Sequence, residues 1–191
     1  MNAQVRLVLP VEGSSHSTTT NPWRRLRGDV SLLQLLHQGG VTLGLILASY
    51  LFFTHFVVQT VLICGNSMAP TLRDKDYYLV NRLAGWLRAP HRGDIVVLKD
   101  PTDHTPVVKR VVGVEGDTVE LRDGFVYLNG HRIEEPYLDH GTRTYPFTSL
   151  CQVVRCGPGE FFVLGDNRFY SQDSRSYGAI PRSAILGFLV R

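Results

Sequence analysis

Between Val30 and Leu72 the chain carries no Asp, Glu, Lys or Arg, and Val41 to Phe53 is mostly Leu, Val, Ile, Phe, Ala and Gly. The stretch from Gln38 to Phe56 is long enough for a membrane-spanning helix, which needs roughly 20 residues at 1.5 Å each. Residues 57–63 are mainly β-branched, so the helix is expected to yield to a strand before Ser67. A cleaved secretory signal would have a shorter apolar region, and no small-x-small site follows Phe53. Further along, short apolar runs at Ile95 to Leu98, Val107 to Val114 and Phe161 to Leu164 read as strands. Asp123-Gly124 and Asn129-Gly130 separate Thr118 to Arg122, Phe125 to Leu128 and His131 to Ile133. Both dipeptides tolerate positive φ and signal tight hairpins. Leu79 to Trp86 fits either a strand or a brief helix. With 18 glycines and 10 prolines, the pattern predicts a mostly β, turn-dense, antiparallel domain behind one N-terminal transmembrane helix.

Charge adds an orientation. Arg24, Arg25 and Arg27 precede the span against one nearby acid, Asp29, whereas Arg73 and Lys75 beyond it are matched by Asp74 and Asp76. The positive-inside bias therefore places the N-terminus in the cytoplasm and the rest outside. The expected organisation is a disordered cytoplasmic tail and basic flank over residues 1–37, a transmembrane helix over 38–56 and an extracytoplasmic β-rich domain over 57–191. The net charge of +3 is mild and scattered, so no nucleic-acid partner is expected. No Cys or His pair has zinc-site spacing, and neither metal nor cofactor is expected. Of the three cysteines, Cys64 reads as a small buried residue, while Cys151 and Cys156 have a spacing that an oxidising compartment allows to close as a disulfide but that does not require one.

The candidate chemistry starts at Gly65-Asn66-Ser67-Met68-Ala69-Pro70-Thr71-Leu72, where a Gly/Pro-shaped turn delivers Ser67 beside the apolar segment. A serine nucleophile needs a base. His91, His104, His131 and His140 lie in unremarkable loop settings. Lys109 differs, being flanked by Val107, Val108, Val111 and Val112, with Arg110 expected to point the opposite way. A lysine held among apolar groups loses solvation of its charged form and becomes available as a neutral amine. Taken alone, Lys109 would more often be an ordinary strand-edge charge.

Four segments occur in order: Ser67 to Leu72, Arg92 to Val97, Lys109 to Asp117, and Gly165-Asp166-Asn167-Arg168-Phe169-Tyr170-Ser171-Gln172-Asp173-Ser174-Arg175. In this combination the chain resembles type I signal peptidase, the membrane-bound leader peptidase, from about Ile63 to its C-terminus. The resemblance implies a Ser/Lys dyad endopeptidase in the cell membrane that removes signal peptides from exported preproteins. Ser67 matches the nucleophile and Lys109 the general base. Ser171 matches a serine that orients the lysine, Asp173 and Arg175 a bracing pair, and Gly165 a glycine allowing close packing beside the lysine.

The Ser67 backbone N–H is the expected oxyanion donor, because Gly65 stands where some members carry a serine side-chain donor. Ile63, Leu72, Val107 and Val108 match the walls of shallow pockets for small residues. Asp166 and Asn167, on their own, read as turn-capping residues. Two other classes fit parts of the pattern. Self-cleaving Ser/Lys repressors would carry a DNA-binding module where this chain has an apolar span, and in a membrane-tethered binding module Ser67 and Lys109 would be structural.

Overall fold

A computed structural model describes residues 31–190, so the tail and basic flank lie outside the described residues up to position 30. The chain divides into two compact units at Ile46 and Leu47, within helix α1, Leu32–Phe52. Among the described residues, α1 is the one helix long and apolar enough to cross a membrane. It starts six residues earlier than the expected Gln38 because Ser31 caps it. The Ser31 hydroxyl accepts from the Gln34 N–H at 3.4 Å, while Gln34 Oε1 accepts from the Ser31 N–H at 3.2 Å. The Thr42 hydroxyl donates to the Gln38 carbonyl at 2.8 Å, satisfying a polar side chain within the helix itself. A π-helical turn, Phe53–Val57, then leads into strand β1 (Val58–Leu62), so α-helical geometry stops before the expected Phe56.

The second unit is built from two antiparallel sheets. The larger contains β1 (Val58–Leu62), β2 (Tyr77–Asn81), β3 (Ile95–Lys99), β4 (Pro106–Gly113), β9 (Glu160–Leu164), β10 (Ile180–Pro181) and β11 (Ile185–Val190), in the order β1-β2-β11-β3-β4-β9-β10. The smaller contains β5 (Thr118–Arg122), β6 (Phe125–Leu128), β7 (His131–Arg132) and β8 (Gln152–Arg155), in the order β7-β6-β5-β8. Asp123 and Gly124 have φ of 54° and 77°, and Asn129 and Gly130 of 53° and 83°, so both expected hairpins form as two-residue turns.

The ambiguous Leu79 to Trp86 segment is both things in succession. β2 runs into a short helix α2, Arg82–Leu87, where the Asn81 side chain caps the Ala84 N–H at 2.8 Å. The sequence reading did not single out β8, β10 or β11. The last of these is central, pairing β2 on one side and β3 on the other, and Gly187 lets it approach β2 closely.

Alternation along β4 and β9 explains the core. Val111, Phe161 and Val163 enter one apolar cluster with Val96, Leu98 and Phe188. Val112, Phe162 and Leu164 enter a second, shared with Val119, Leu121, Val126 and Leu128 of the smaller sheet. Strands covered on both faces read as continuous apolar runs rather than alternating ones. All three thiols are free. Cys151 and Cys156 flank the extended β8, which holds their Cα atoms roughly 16 Å apart at ~3.3 Å per residue, far beyond disulfide reach. Cys64 is exposed rather than buried.

Gly113 joins the two sheets at a register shift in the β4–β9 pairing. A Cβ there would lie 2.5 Å from a Val119 methyl and 3.2 Å from the Phe162 Cβ. Gly113→Ala is expected to cost about 1–3 kcal/mol through overpacking, read as a lowered unfolding midpoint in denaturant. An unchanged midpoint would mean that the interface between the sheets is looser than its geometry indicates.

Candidate active site

β4 places Lys109 opposite Val96 of β3, one residue before β9 begins to pair at Arg110, and the residue is only 3% exposed. Two-residue periodicity puts it on the same face as Val107 and Val111, with Arg110 on the other. The Lys109 Nζ lies 3.4 Å from the Ser67 Oγ. Burial pushes the Lys109 ammonium below its ordinary 10.5; the Asp173 and Asp100 carboxylates push it back up and Arg175 adds to the lowering. His91, His104, His131 and His140 are all exposed, and none has a hydrogen bond to Ser67.

Ser67 sits on the turn after Ile63, half-buried, and its carbonyl accepts the Asn167 N–H at 2.9 Å. Among the described residues its own N–H has no hydrogen-bond acceptor. The turn from Gly165 to Ser171 packs directly against it. A Cβ on Gly165 would fall 2.1 Å from the Ser171 Oγ and 2.6 Å from the Ser67 carbonyl oxygen, so only glycine fits. Ser171 is buried beside Gly165, and among the described residues its hydroxyl has no hydrogen-bond partner. It therefore stands next to Ser67 without bonding Lys109.

Asp173 is fully buried. It accepts from the Gly165 N–H at 3.0 Å, and from the Arg175 guanidinium at 2.8 and 2.9 Å. It also caps the short helix α3, Ser174–Tyr177, through the Arg175 N–H. Arg175 in turn donates to the Ser171 carbonyl at 3.0 Å, closing a ring of contacts around the turn.

Ile63, Leu72 and Val108 share one apolar cluster with Met68 and Ile95, whereas Val107, one position along the strand, packs against the other cluster. The four expected wall residues thus divide between two faces of β4. Asp166 is more than a turn cap. Its carboxylate takes two hydrogen bonds from Arg110, at 2.8 and 2.5 Å, with both side chains buried. Arg110 also donates to the Gly93 carbonyl and the Thr71 hydroxyl and stacks on Tyr137.

The sequence reading missed Arg110 and Arg168 as parts of this region. Arg168, 2% exposed, donates to the Gly165 carbonyl at 3.0 Å and pairs with Glu135 at 2.6 Å. The usable signal was two arginines in otherwise apolar or turn surroundings, since buried charges require partners. Among the described residues no cluster of His, Cys, Asp and Glu could hold a metal ion.

The family model described as signal peptidase, peptidase S26, matches residues 36–190. Signal peptidase I T of Bacillus subtilis (strain 168) is 36% identical over 143 residues, covering 72% of this chain and 74% of its own. Signal peptidase I of Bacillus amyloliquefaciens is 35% identical over 154 residues, covering 78% and 80%. A solved signal peptidase I from Enterococcus faecalis V583 is 31% identical and aligns over 54% of this chain and 98% of its own, with a TM-score of 0.44.

Because Lys109 is held below its ordinary pKa, the unfolded chain binds more protons than the folded one between the two values, and stability rises with pH across that window. Lys109→Met is expected to unfold at a higher temperature than wild type near neutral pH, the gap narrowing as pH approaches 10.5. Thermal unfolding in detergent at several pH values checks this, and a pH-independent gap would contradict it.

Proposed function

The chain belongs to the signal peptidase, peptidase S26, family, and from that premise we propose that it removes N-terminal signal peptides from exported preproteins through an acyl-enzyme formed on Ser67. The observation that carries this reading is the 3.4 Å approach of a buried lysine amine to the Ser67 hydroxyl. Lys109, whose amine burial pushes toward the neutral form, takes the Ser67 proton as Oγ attacks the scissile carbonyl, and returns it to the leaving amine. That amine is the N-terminus of the processed protein, which departs at this step; Lys109 then deprotonates the water that hydrolyses the ester, releasing the signal peptide, and passes the proton back to the Ser67 Oγ. The unpartnered Ser67 N–H is the oxyanion donor, and such a donor typically contributes about 3 kcal/mol.

Ser171 fills the space behind the dyad and orients Lys109 when substrate tightens the site, while Asp173 and Arg175 brace the turn that holds both. Pro106 to Lys109 pair with β3 on one side only, because β9 joins β4 at Arg110. An extended signal-peptide end can therefore add to that free edge as a strand. The cluster of Ile63, Leu72 and Val108 lies under the small residues before the bond, with Val107 facing the opposite side of the same edge. Residues 57–191 act as the catalytic domain outside the membrane. Helix α1 is the anchor, and the Arg24, Arg25 and Arg27 flank stays in the cytoplasm.

Cleavage of a preprotein with small residues before its cut site, by the full-length protein in detergent, tests the assignment. Ser67→Ala is expected to abolish it, and Lys109→Arg to lower kcat/KM by about 10²–10⁴-fold, since arginine supplies no neutral amine. Ser171→Ala should weaken turnover without removing it. Appreciable cleavage by Lys109→Arg would move the base elsewhere.

A further inference from the structure

The turn that closes over Ser67 carries two large aromatic side chains at its apex, Phe169 and Tyr170, 74% and 80% exposed. Neither makes a side-chain hydrogen bond or a cation–π contact among the described residues. Isolated exposed aromatics are ordinary. This pair differs because the turn beneath it is tied down on both sides, through backbone and side-chain bonds. Gly165 is held by Asp173 and Arg168, Asp166 by Arg110, Asn167 by the Ser67 carbonyl, and Ser171 by Arg175. The Tyr170 N–H closes the turn on the Asn167 carbonyl at 3.1 Å. Two apolar rings are thus presented to solvent on a rigid support, at little further ordering cost to whatever covers them.

Topology indicates what covers them. The free edge of β4 spans Pro106 to Lys109 and ends where β9 begins to pair, with Arg110 opposite Leu164. β9 continues straight into Gly165 and the turn. A peptide laid along that edge therefore meets the turn at Lys109 and Ser67, where the scissile bond sits, and its remaining half must run over the turn. The signal side is accommodated by β4 and the Ile63 cluster. The residues after the bond have only the turn and its aromatic apex to meet.

We propose, resting on the Ser67 and Lys109 reading above, that Phe169 and Tyr170 form the surface that receives the first residues of the mature protein and favours apolar side chains there. They are specificity-determining residues, separate from the pockets that read the signal peptide. Partial burial of an aromatic ring against an apolar side chain is worth about 1 kcal/mol, or roughly fivefold in kcat/KM.

The test compares peptides that span one cleavage site and differ only in the first two positions after the bond, Leu-Phe against Gly-Glu, cut by the full-length protein in detergent. Wild type is expected to prefer the apolar pair by about fivefold. A Phe169→Ser, Tyr170→Ser double variant should bring the ratio close to one, while Phe169→Leu, which keeps an apolar apex, should retain most of it. No preference in wild type, or the same ratio in the double variant, overturns the proposal. So does a loss equal for all peptides that occurs only when anionic phospholipid vesicles are present, since that outcome assigns the pair to the bilayer surface. Ser67→Ala is run in parallel: if it still cuts, the nucleophile assignment fails before any ratio is read.

Discussion

Burying one lysine amine in the middle of a sheet is the constraint around which the second unit is arranged. An ammonium at that position would lose most of its hydration, and nothing in the surrounding apolar cluster replaces it. Burial therefore shifts Lys109 toward its neutral form. A carboxylate placed carelessly nearby would undo this by stabilising the charge. Asp173 and Asp100 both act in that direction, but Asp173 is already engaged by the Arg175 guanidinium and the Gly165 N–H. Its charge is largely spent on bracing the turn, so burial remains the dominant influence on the lysine.

The second feature is a set of buried ion pairs that tie together segments far apart in sequence. Arg110 with Asp166, Arg168 with Glu135 and Arg175 with Asp173 are each nearly excluded from solvent. Such pairs add little net stability, because desolvation consumes much of the Coulomb attraction. What they contribute is geometry. Arg110 alone touches the Ser67 loop through Thr71, the turn before β3 through Gly93 and the β9 turn through Asp166. Adjacent residues on β4 therefore divide the work, with Lys109 facing Ser67 and Arg110 locking the scaffold behind it.

Features set within a few residues were legible in advance. Hairpins at Asp123-Gly124 and Asn129-Gly130 could be read directly, since a two-residue turn with positive φ is a local property. The apolar run was legible for a similar reason, while the start of the helix at Leu32 is set by the Ser31 and Gln34 cap. β11 passed unnoticed because Ile185 to Val190 resembles any terminal apolar run, and only its two partners, β2 and β3, give it a role.

By itself the sequence determined the two hairpins, the strands β3, β4 and β9, the long apolar segment and the residue types available for serine chemistry. Each of these follows from periodicity, turn preference or side-chain reactivity within a few residues. Tertiary structure alone decided that Lys109 reaches Ser67, that Gly165 admits no side chain, that Asp166 is a buried partner of Arg110, and that Val107 and Val108 serve different faces. The physical reason is common to all four. Desolvation, close approach and ion pairing depend on distances between strands and turns up to 98 positions apart, as Ser67 and Gly165 are, and no local pattern encodes those distances.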